Sequence, residues 1–276
     1  MDKKKPAIAN GRLLFKERKK MRILAIGDLV SPAAVQHLTD RLWPFRKERN
    51  IQFVLVNAEN ASTGNGLAPT EARQALDAGA DVLTGGNHIF RKNALHSLLD
   101  QEPRLIRPAN LPARAPGCGY TILHAEGYRM LVMNLLGRVF MDPAEDPFDA
   151  ADGILKREAG RYDFALLDIH AESTSEKIAL ARYLDGRVHF IFGTHTHVAT
   201  ADEQVLPGGT GFITDLGFTG VQDSVLGVKS EIIIQRFRTH LPARFDFAEG
   251  EVTACGAIFD LDENTGRCRS VERVRF

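Results

Sequence analysis

The sequence predicts an α/β fold with two packed sheets and helices on the outside. Short apolar runs typical of buried strands alternate with amphipathic segments typical of helices, and this alternation favours a mostly parallel sheet. The 276 residues are enough to bury a full core, and the apolar and charged fractions are ordinary for a globular protein. Because no repeat and no linker composition interrupts the chain, we expect residues 21–276 to form one domain.

In the first half of the chain, capping residues mark where helices begin and end. Ser31-Pro32 supplies an N-cap and a proline at the first helical position. Gly79 suits the residue that follows a helix. These signals and the apolar runs predict strands at 22–26, 51–56 and 81–84, and helices at 33–46, 69–78 and 92–99.

The middle of the chain begins with a proline-rich stretch, 104–119, that we expect to be a long loop. The run 120–136 then has the pattern of a hairpin that turns at Glu126-Gly127. Beyond it, buried strands and helices alternate again, and strands dominate from Asp202 onward. Helices are expected at 147–159, 173–184 and 229–236, and strands at 164–169, 188–192, 204–206, 211–214, 243–247 and 251–260.

The composition argues against several classes of function. Thirty-five basic and thirty-five acidic residues give a net charge of zero, so the chain has no overall attraction to nucleic acid or anionic membranes. No apolar run is long enough to cross a membrane. No P-loop, dinucleotide fingerprint or serine-hydrolase elbow occurs in the sequence.

Cysteine usage and the N-terminal segment bear on the compartment. Three cysteines without metal-site spacing fit a reducing environment, so we expect a cytoplasmic protein in which Cys255 is buried. The basic residues 1–20 lack the apolar core of a signal peptide. We expect them to be a disordered leader, or to precede a true start at Met21, with a nucleic-acid-binding tail as the alternative.

Polar residues that bind metals follow the apolar strands at several places along the chain. Strands of an open α/β sheet place their sites beyond their carboxyl ends, so one sheet edge is expected to gather these residues. Carboxylate, amide and imidazole donors without thiolate suit a pair of divalent transition metals that drive hydrolysis. The candidates are Asp28, Glu59, Asn60, Asn87, His88, His170, His195 and His197.

The strongest local signal is the Gly-Thr-His-Thr-His run that ends at His197. In an extended segment alternate side chains point the same way, so His195 and His197 are predicted to face one site. Glu59 lies in a polar loop after a buried strand, where a carboxylate can bridge two cations. Asp28 and the asparagines have a simpler interpretation as turn residues, and His170 taken alone as a structural histidine.

Two further groups have alternative interpretations. His88 neighbours a candidate ligand and is either a general acid toward a leaving oxygen or an imidazole that only orients its neighbour. Arg107, Arg138 and Lys177 are assigned to loops that could bind a phosphate, with solvated surface as the alternative.

These motifs occur in an order that is specific when they are taken together. They are the segments 22–28, 56–61, 86–88, 107–110, 170–177, 193–198, 214–217 and 237–242, which include Asn57-Ala58-Glu59-Asn60, Gly86-Asn87-His88 and Thr214-Asp215-Leu216-Gly217. The order resembles the calcineurin-like metallophosphoesterases and, within them, the YmdB-type phosphodiesterases. The likeness covers residues 21–276.

The resemblance implies a four-layer αββα sandwich of two mixed sheets with a two-metal centre, and a homo-oligomer. It implies that a metal-activated hydroxide hydrolyses phosphodiesters, including 2′,3′-cyclic nucleotides that can derive from RNA. Iron is the favoured metal, with manganese or zinc as alternatives. By position, one metal is held by Asp28, Glu59, Asn60 and His197 and the other by Glu59, Asn87, His170 and His195, with Glu59 bridging and His88 as the proton donor.

The sequence departs from the resembled proteins at two places. The wider superfamily has Asp-x-His at the first strand, whereas this chain has Asp28-Leu29-Val30, a departure that the YmdB branch shares. The branch usually has a glycine soon after that aspartate, where this chain has Ser31-Pro32. A stiffer loop at this position bears on how substrate reaches the first metal.

Two other functions stay open from the sequence. One is a phosphomonoesterase or nucleotidase of the same superfamily. The other is a regulatory protein that binds a nucleotide or RNA at the metal site without turnover. His88 favours an enzyme, because a binding protein has no need of a general acid.

Overall fold

Two β-sheets pack face to face in this computed structural model, and helices cover their outer faces. The structure describes residues 20–276, together with the backbone of β1 (Ile8–Ala9) and β2 (Arg12–Leu13), which pair antiparallel. The predicted disordered leader at 1–20 therefore falls largely outside the described residues and stays a prediction. The remaining strands are β3 (Lys20–Ile26), β4 (Asp28–Leu29), β5 (Phe53–Asn57), β6 (Val82–Thr84), β7 (Tyr120–Ala125), β8 (Tyr128–Leu136), β9 (Phe164–His170), β10 (Phe190–Thr194), β11 (Gln204–Val205), β12 (Gly211–Ile213), β13 (Phe218–Val221), β14 (Val252–Thr253), β15 (Cys255–Asp262) and β16 (Cys268–Arg275).

Both large sheets are mixed: the first has antiparallel strands at one margin and the second has them at both. The first has the order β16-β15-β3-β5-β6, in which β3, β5 and β6 are parallel. The second has the order β11-β12-β10-β9-β8-β7, in which β8, β9, β10 and β12 are parallel. A small third sheet, β14-β13-β4, pairs Asp28 with Phe218.

The helices form the two outer layers, and alternation along the strands divides the core between them. Ile23 of β3 faces the second sheet, whereas its neighbour Leu24 faces the helices. Between the sheets, the rings of Phe190 and Phe259 stack with centroids 4.1 Å apart. The four layers confirm the predicted fold class. The helices are α1 (Pro32–Glu48), α2 (Pro69–Asp77) and α3 (His96–Gln101) on the first sheet, α4 (Pro147–Arg157) and α5 (Thr174–Tyr183) on the second, and α6 (Ser230–Thr239).

The start of α1 differs from the prediction in one respect. The helix begins at Pro32 as the sequence indicates, but the side chain of Ser31 makes no capping hydrogen bond. Ser31 has φ 85° and ψ 159°, a conformation that favours glycine. Its backbone N–H donates to the carbonyl of Asn60 at 3.1 Å, which ties the turn after β4 to the loop that carries Glu59.

The region after β13 differs most from the prediction. The predicted strand at 243–247 is wrong: these residues follow α6 mainly as coil, and only Phe247 forms a bridge, with Val228. Among the described residues no strand pairs with the segment 243–246, and Arg236 lies 4.9 Å over the ring of Phe245. Most of the residues 234–246 are exposed, including Phe237.

Two strands in the last quarter of the chain were not predicted. β13 is only four residues long, and its pairing with β4 depends on a long-range contact that the sequence does not reveal. β16 lies at the edge of its sheet, so its exposed positions carry mostly charged residues and only Cys268 and Val274 are buried. Short or polar edge strands lack the apolar run by which buried strands are recognised.

Three smaller expectations concern helices and cysteines. The predicted helix at 92–99 is a 3₁₀ turn, Asn93–Leu95, followed by α3. Cys255 is buried, as predicted. Within the described part of the chain, no helix combines the length and the apolar character needed to cross a bilayer.

Candidate metal centre

The candidate ligands lie where parallel strands of both sheets end. The first sheet supplies the residues after β3, β5 and β6, and the second supplies those at the ends of β9 and β10. The expectation that one sheet edge gathers them is therefore wrong, because the site straddles both sheets. Asp28, Glu59, Asn60, Asn87 and His88 come from the first side, and His170, His195 and His197 from the second.

Glu59 is the central side chain of this site and is fully buried. Its Oε1 accepts a hydrogen bond from the amide of Asn60 at 2.9 Å and lies 3.3 Å from both His88 Nδ1 and His170 Nε2. Its Oε2 accepts from the backbone N–H of His88 at 2.9 Å. Both carboxylate oxygens therefore face other candidate ligands rather than solvent.

One group of donors surrounds His170 Nε2. Asn87 Oδ1 and His195 Nδ1 each lie 3.1 Å from this nitrogen. The donor atoms of Glu59, His170 and His195 all lie within 4.8 Å of one another. Two imidazole nitrogens that face each other at this distance need a shared proton or a cation between them, since two lone pairs repel.

A second group contains Asp28 and His197. Asp28 Oδ1 lies 3.7 Å from His197 Nε2 and 3.8 Å from His170 Nδ1. This oxygen is buried and has no hydrogen-bond partner among the residues that the structure describes. Leaving a buried carboxylate oxygen unsatisfied is costly, so a bound cation is the chemical fit. The other oxygen, Oδ2, accepts from the backbone N–H of His195 at 3.1 Å.

Gly86 gives the first group the space that it occupies. A Cβ at this position would clash with Glu59 Oε2 and with the ring of His170. The backbone of the loop after β6 therefore passes directly beside the donors. Nitrogen and oxygen donors in this arrangement fit transition metals such as iron, manganese or zinc.

The two histidines of the Gly-Thr-His-Thr-His run converge for a different reason from the predicted one. The segment is not extended: His195 has φ 97° and His197 has φ 62°. Both imidazoles still face the site, one toward His170 and the other toward Asp28. The positive φ values of these two residues, rather than strand alternation, therefore direct both imidazoles toward the site.

The electrostatics of the site follow from its buried carboxylates. Burial opposes the charged form of His170, but the nearby carboxylates of Glu59 and Asp28 outweigh it and raise the pKa to about 9. Burial lowers the pKa of His195 to about 4, with the charge on His170 adding to the effect. Burial opposes ionisation of Glu59, but the charge of His170 holds the pKa of this carboxyl well below its ordinary value. The buried carboxylates therefore make the site negative enough for His170 to hold a proton, at a position where a metal cation fits.

Three residues beneath His170 were missed by the sequence analysis. Thr194 Oγ1 donates to Asp168 Oδ1 at 2.7 Å, so it accepts the Nδ1–H of His170 at 2.9 Å. Asp168 also accepts from Asn57 Nδ2 at 3.0 Å, and burial raises the pKa of this carboxyl to about 6. This chain of bonds leaves Nε2 of His170 free for a ligand role. The available signal was spacing, because Asp168 lies two residues before His170 on the same strand face.

The structure does not place two of the three proposed phosphate-binding cations at the site. Arg107 is buried and donates to carbonyls of its own loop, such as that of Pro108 at 2.7 Å. Lys177 lies in α5, as the predicted helix at 173–184 requires and contrary to its assignment to a loop, and it is fully buried against Asp215. Arg138 is exposed and pairs with Asp146 at 3.1 Å, so a phosphate-binding role for it stays a prediction.

His88 lies at the outer side of the donors. Its Nδ1 lies 2.9 Å from Asn60 Oδ1, and its side chain is 18% exposed. Within the described residues only Nδ1 is engaged by protein groups, so Nε2 is the ring atom available to a substrate. The arrangement suits proton donation from the rim of the site.

Comparisons with known proteins agree with the fold. A family model described as YmdB-like protein matches residues 24–274. The chain is 42% identical over 254 residues to a Bacillus subtilis protein named 2′,3′-cyclic-nucleotide 2′-phosphodiesterase, covering 92% of this chain and 96% of that protein. A solved structure of a Mycoplasma pneumoniae phosphatase matches with a TM-score of 0.87 at 30% identity, covering 94% of each chain. A solved hypothetical protein from Thermus thermophilus matches with a TM-score of 0.86 at 38% identity, covering 93% of this chain and 99% of that one.

Proposed function

The chain belongs to the YmdB-like family, and we propose on that premise that it is a metal-dependent phosphodiesterase whose substrates include 2′,3′-cyclic nucleotides. The observation that carries the proposal is the position of Glu59 between two groups of donors, one of which contains a buried carboxylate oxygen without a partner among the described residues. The name of the Bacillus subtilis relative supports the substrate class.

The donors would divide between two metal ions. Asn87, His170 and His195 would hold one ion, Asp28, Asn60 and His197 the other, and Glu59 would bridge them. In the structure the side-chain N–H of Asn60 donates to Glu59 and its carbonyl oxygen lies 2.9 Å from His88 Nδ1, and the second lone pair of that oxygen would serve an ion. Metal ions at such a centre polarise phosphoryl oxygens and activate a water molecule.

The protein itself supplies orientation and a proton. Glu59 Oε1 and Asn60 Oδ1 hold Nδ1 of His88, which fixes the orientation of the ring. Nε2 of that ring can then protonate the departing ribose oxygen, which otherwise leaves as a poor alkoxide. Thr194, which donates to Asp168, accepts the Nδ1–H of His170. This hydrogen bond fixes the ring proton on Nδ1, so the lone pair of Nε2 would be available to a metal.

Three further features belong to the proposal. Iron is the metal we favour. Manganese and zinc are alternatives, because the donors accept all three. The protein acts in the cytoplasm, which the unpaired cysteines support. It forms a homo-oligomer, which the exposed apolar side chains of Ile234, Phe237 and Leu241 at and after α6 support. Light scattering on the purified protein measures this last feature.

A substrate panel tests the proposed function. The wild-type protein is assayed with 2′,3′-cyclic AMP and bis-p-nitrophenyl phosphate beside p-nitrophenyl phosphate and nucleoside monophosphates. We expect turnover of both diesters at rates well above those of the monoesters. Preferential turnover of monoesters would instead identify a phosphomonoesterase, and tight nucleotide binding without turnover would identify a binding protein.

A further inference from the structure

We propose that Lys177 and Asp215 form a buried clamp that fixes His195 and His197 in their ligand positions and so sets how tightly the centre binds metal. Both residues act through the segment 194–197 and are positioning residues. The inference rests on the metal centre of the proposed function, and it assigns a role to two charged residues outside the ligand set.

The segment that carries the two histidines needs to be held. His195 and His197 both have positive φ values, of 97° and 62°, which are unfavourable for residues with a Cβ. Such conformations persist only where the surrounding structure determines them. An imidazole displaced by a small rotation of this backbone would no longer meet its partner.

The clamp contacts the segment at the residue before each histidine. Lys177 Nζ donates to the carbonyl of Thr194 at 2.7 Å and to Asp215 Oδ2 at 2.7 Å. The same Oδ2 accepts from the backbone N–H of Thr196 at 3.2 Å and from its hydroxyl at 2.8 Å. Asp215 Oδ1 accepts from Gly217 N–H at 2.8 Å, which anchors the carboxylate on its other side.

The clamp joins three separate elements. Lys177 projects from α5, Asp215 follows β12, and the histidine segment follows β10. Gly193 allows the three elements to approach one another, because a Cβ there would clash with the carbonyl of Thr214 and crowd the stem of Lys177. The glycine that opens the Gly-Thr-His-Thr-His run thus leaves room for the lysine.

The burial of both charges favours positioning over stability. Lys177 is 0% exposed and Asp215 1% exposed, so each charge is removed from water. Buried ion pairs can often be replaced by apolar side chains of similar volume without loss of stability. An apolar pair could fill this space but could not bind the carbonyl of Thr194 or the N–H and hydroxyl of Thr196.

The test compares Lys177→Met with the wild-type protein in metal binding. Methionine keeps the unbranched stem and removes the donor. Affinity for Co²⁺ is measured by competition with a chelator, and the visible absorption of bound Co²⁺ reports the ligand geometry. We expect affinity about 10- to 100-fold weaker and an altered absorption spectrum. Affinity and spectrum equal to those of the wild type would overturn the clamp.

Arg46→Met is the matched control. Arg46 pairs with Asp81 at 2.9 Å and binds the backbone carbonyls of Gly79 and Gln52, outside the centre. This variant should lose thermal stability. Its Co²⁺ affinity should stay within about 3-fold of the wild type, a difference no larger than the effect of one hydrogen bond. An equal loss of affinity in both variants would show a general effect of stability rather than a clamp.

Thr196→Val keeps the test decisive if Lys177→Met does not fold. It removes one hydroxyl from the clamp and leaves the ion pair and the volume in place. We expect Co²⁺ affinity about 3- to 10-fold weaker, the effect of one hydrogen bond, and unchanged affinity would count against the proposal. A wild-type protein that binds no Co²⁺ would overturn the proposed function itself, and the clamp with it.

Discussion

Glu59 is the residue on which both groups of donors converge, so its removal should lower metal content and activity more than the removal of a terminal ligand. We expect Glu59→Ala to lose at least one metal ion per chain and to fall to background phosphodiesterase activity. The fold should survive, because Glu59 lies in a loop after β5 rather than in an element. Elemental analysis, activity and circular dichroism measure the three outcomes.

Glu158→Ala is the control for this substitution. Glu158 is also a buried glutamate, but it accepts from Tyr120 at the end of α4. The control should lose some stability and keep its metal content. Normal metal content and normal activity in Glu59→Ala would refute the bridging role of Glu59.

His88 should affect the reaction without affecting metal content. If Nε2 protonates the leaving oxygen, His88→Ala should lower turnover of 2′,3′-cyclic AMP by about 10²- to 10⁴-fold. The loss should be much smaller for bis-p-nitrophenyl phosphate, whose leaving group needs no proton. The exposed His124, on β7, provides a control variant with unchanged turnover. Equal losses on both substrates would point to a positioning role for His88.

His170 should make metal binding depend on pH. In the metal-free protein the surrounding carboxylates overcome burial and raise its pKa to about 9, so the ring is protonated at pH 7. A metal must displace that proton, so affinity should rise at least about tenfold per pH unit below pH 9. Calorimetry with Mn²⁺ in buffers of different ionisation enthalpy should show at least one proton released per chain at pH 7, because Asp28 outweighs burial and raises the pKa of His197 as well. No proton release together with constant affinity between about pH 6.5 and 8.5 would contradict this account.

At the scale of single residues, the sequence was informative where polar residues follow apolar strands. It placed Asn87 and His195 near His170, and the structure brings their donor atoms within 3.1 Å of Nε2. It did not identify Thr194 or Asp168, because a threonine or aspartate inside a strand has no pattern of its own, and the two-residue spacing of Asp168 and His170 was the one available signal. Lys177 was misread because a lysine is normally exposed, whereas this one is buried by a long-range partner.

At the scale of elements, the turn between β4 and α1 holds an unfavourable backbone. Ser31 has φ 85° and ψ 159°, a region that costs other residues about 1–3 kcal/mol relative to glycine. We expect Ser31→Gly to raise the free energy of unfolding by about 1 kcal/mol, after the larger entropy of an unfolded glycine is subtracted. Chemical denaturation measures the change.

Ser270→Gly is the comparison for that substitution. Ser270 lies in β16 and is not among the described residues with positive φ, so glycine should weaken the strand. A Ser31→Gly variant that is less stable than the wild type would show that the serine side chain has a role that the structure does not show. The same variant also tests whether the stiffer turn restricts substrate access, through a change in KM.

The elements that the sequence predicted well are those with strong local signals. Proline begins α1, α2 and α4, and Asp146 caps α4 by accepting from Phe148 N–H at 2.8 Å. Buried parallel strands were found because they are continuous apolar runs. A strand was predicted at 243–247, where none forms, and none was predicted at 268–275, where β16 forms. In both cases pairing partners far along the chain decide whether the segment becomes a strand.

At the scale of the whole molecule, the sequence predicted four layers but not how they build the site. Two sheets pack so that their parallel strands end on the same side, and both sheets contribute donors. A single sheet edge could not place Glu59 opposite His170, since their strands, β5 and β9, belong to different sheets. This geometry depends on the packing of Ile23, Phe190 and their neighbours between the sheets, which no local pattern specifies.

The measurement that most directly tests the central claim is the metal content of the active protein. The full chain is purified without chelator and without a nickel column, analysed for metals, and assayed on bis-p-nitrophenyl phosphate before and after chelation. Two ions per chain, held by the donors around Glu59 and His170, should be found, and activity should be lost with them and restored by adding metal. A metal-free chain with full phosphodiesterase activity would contradict the account.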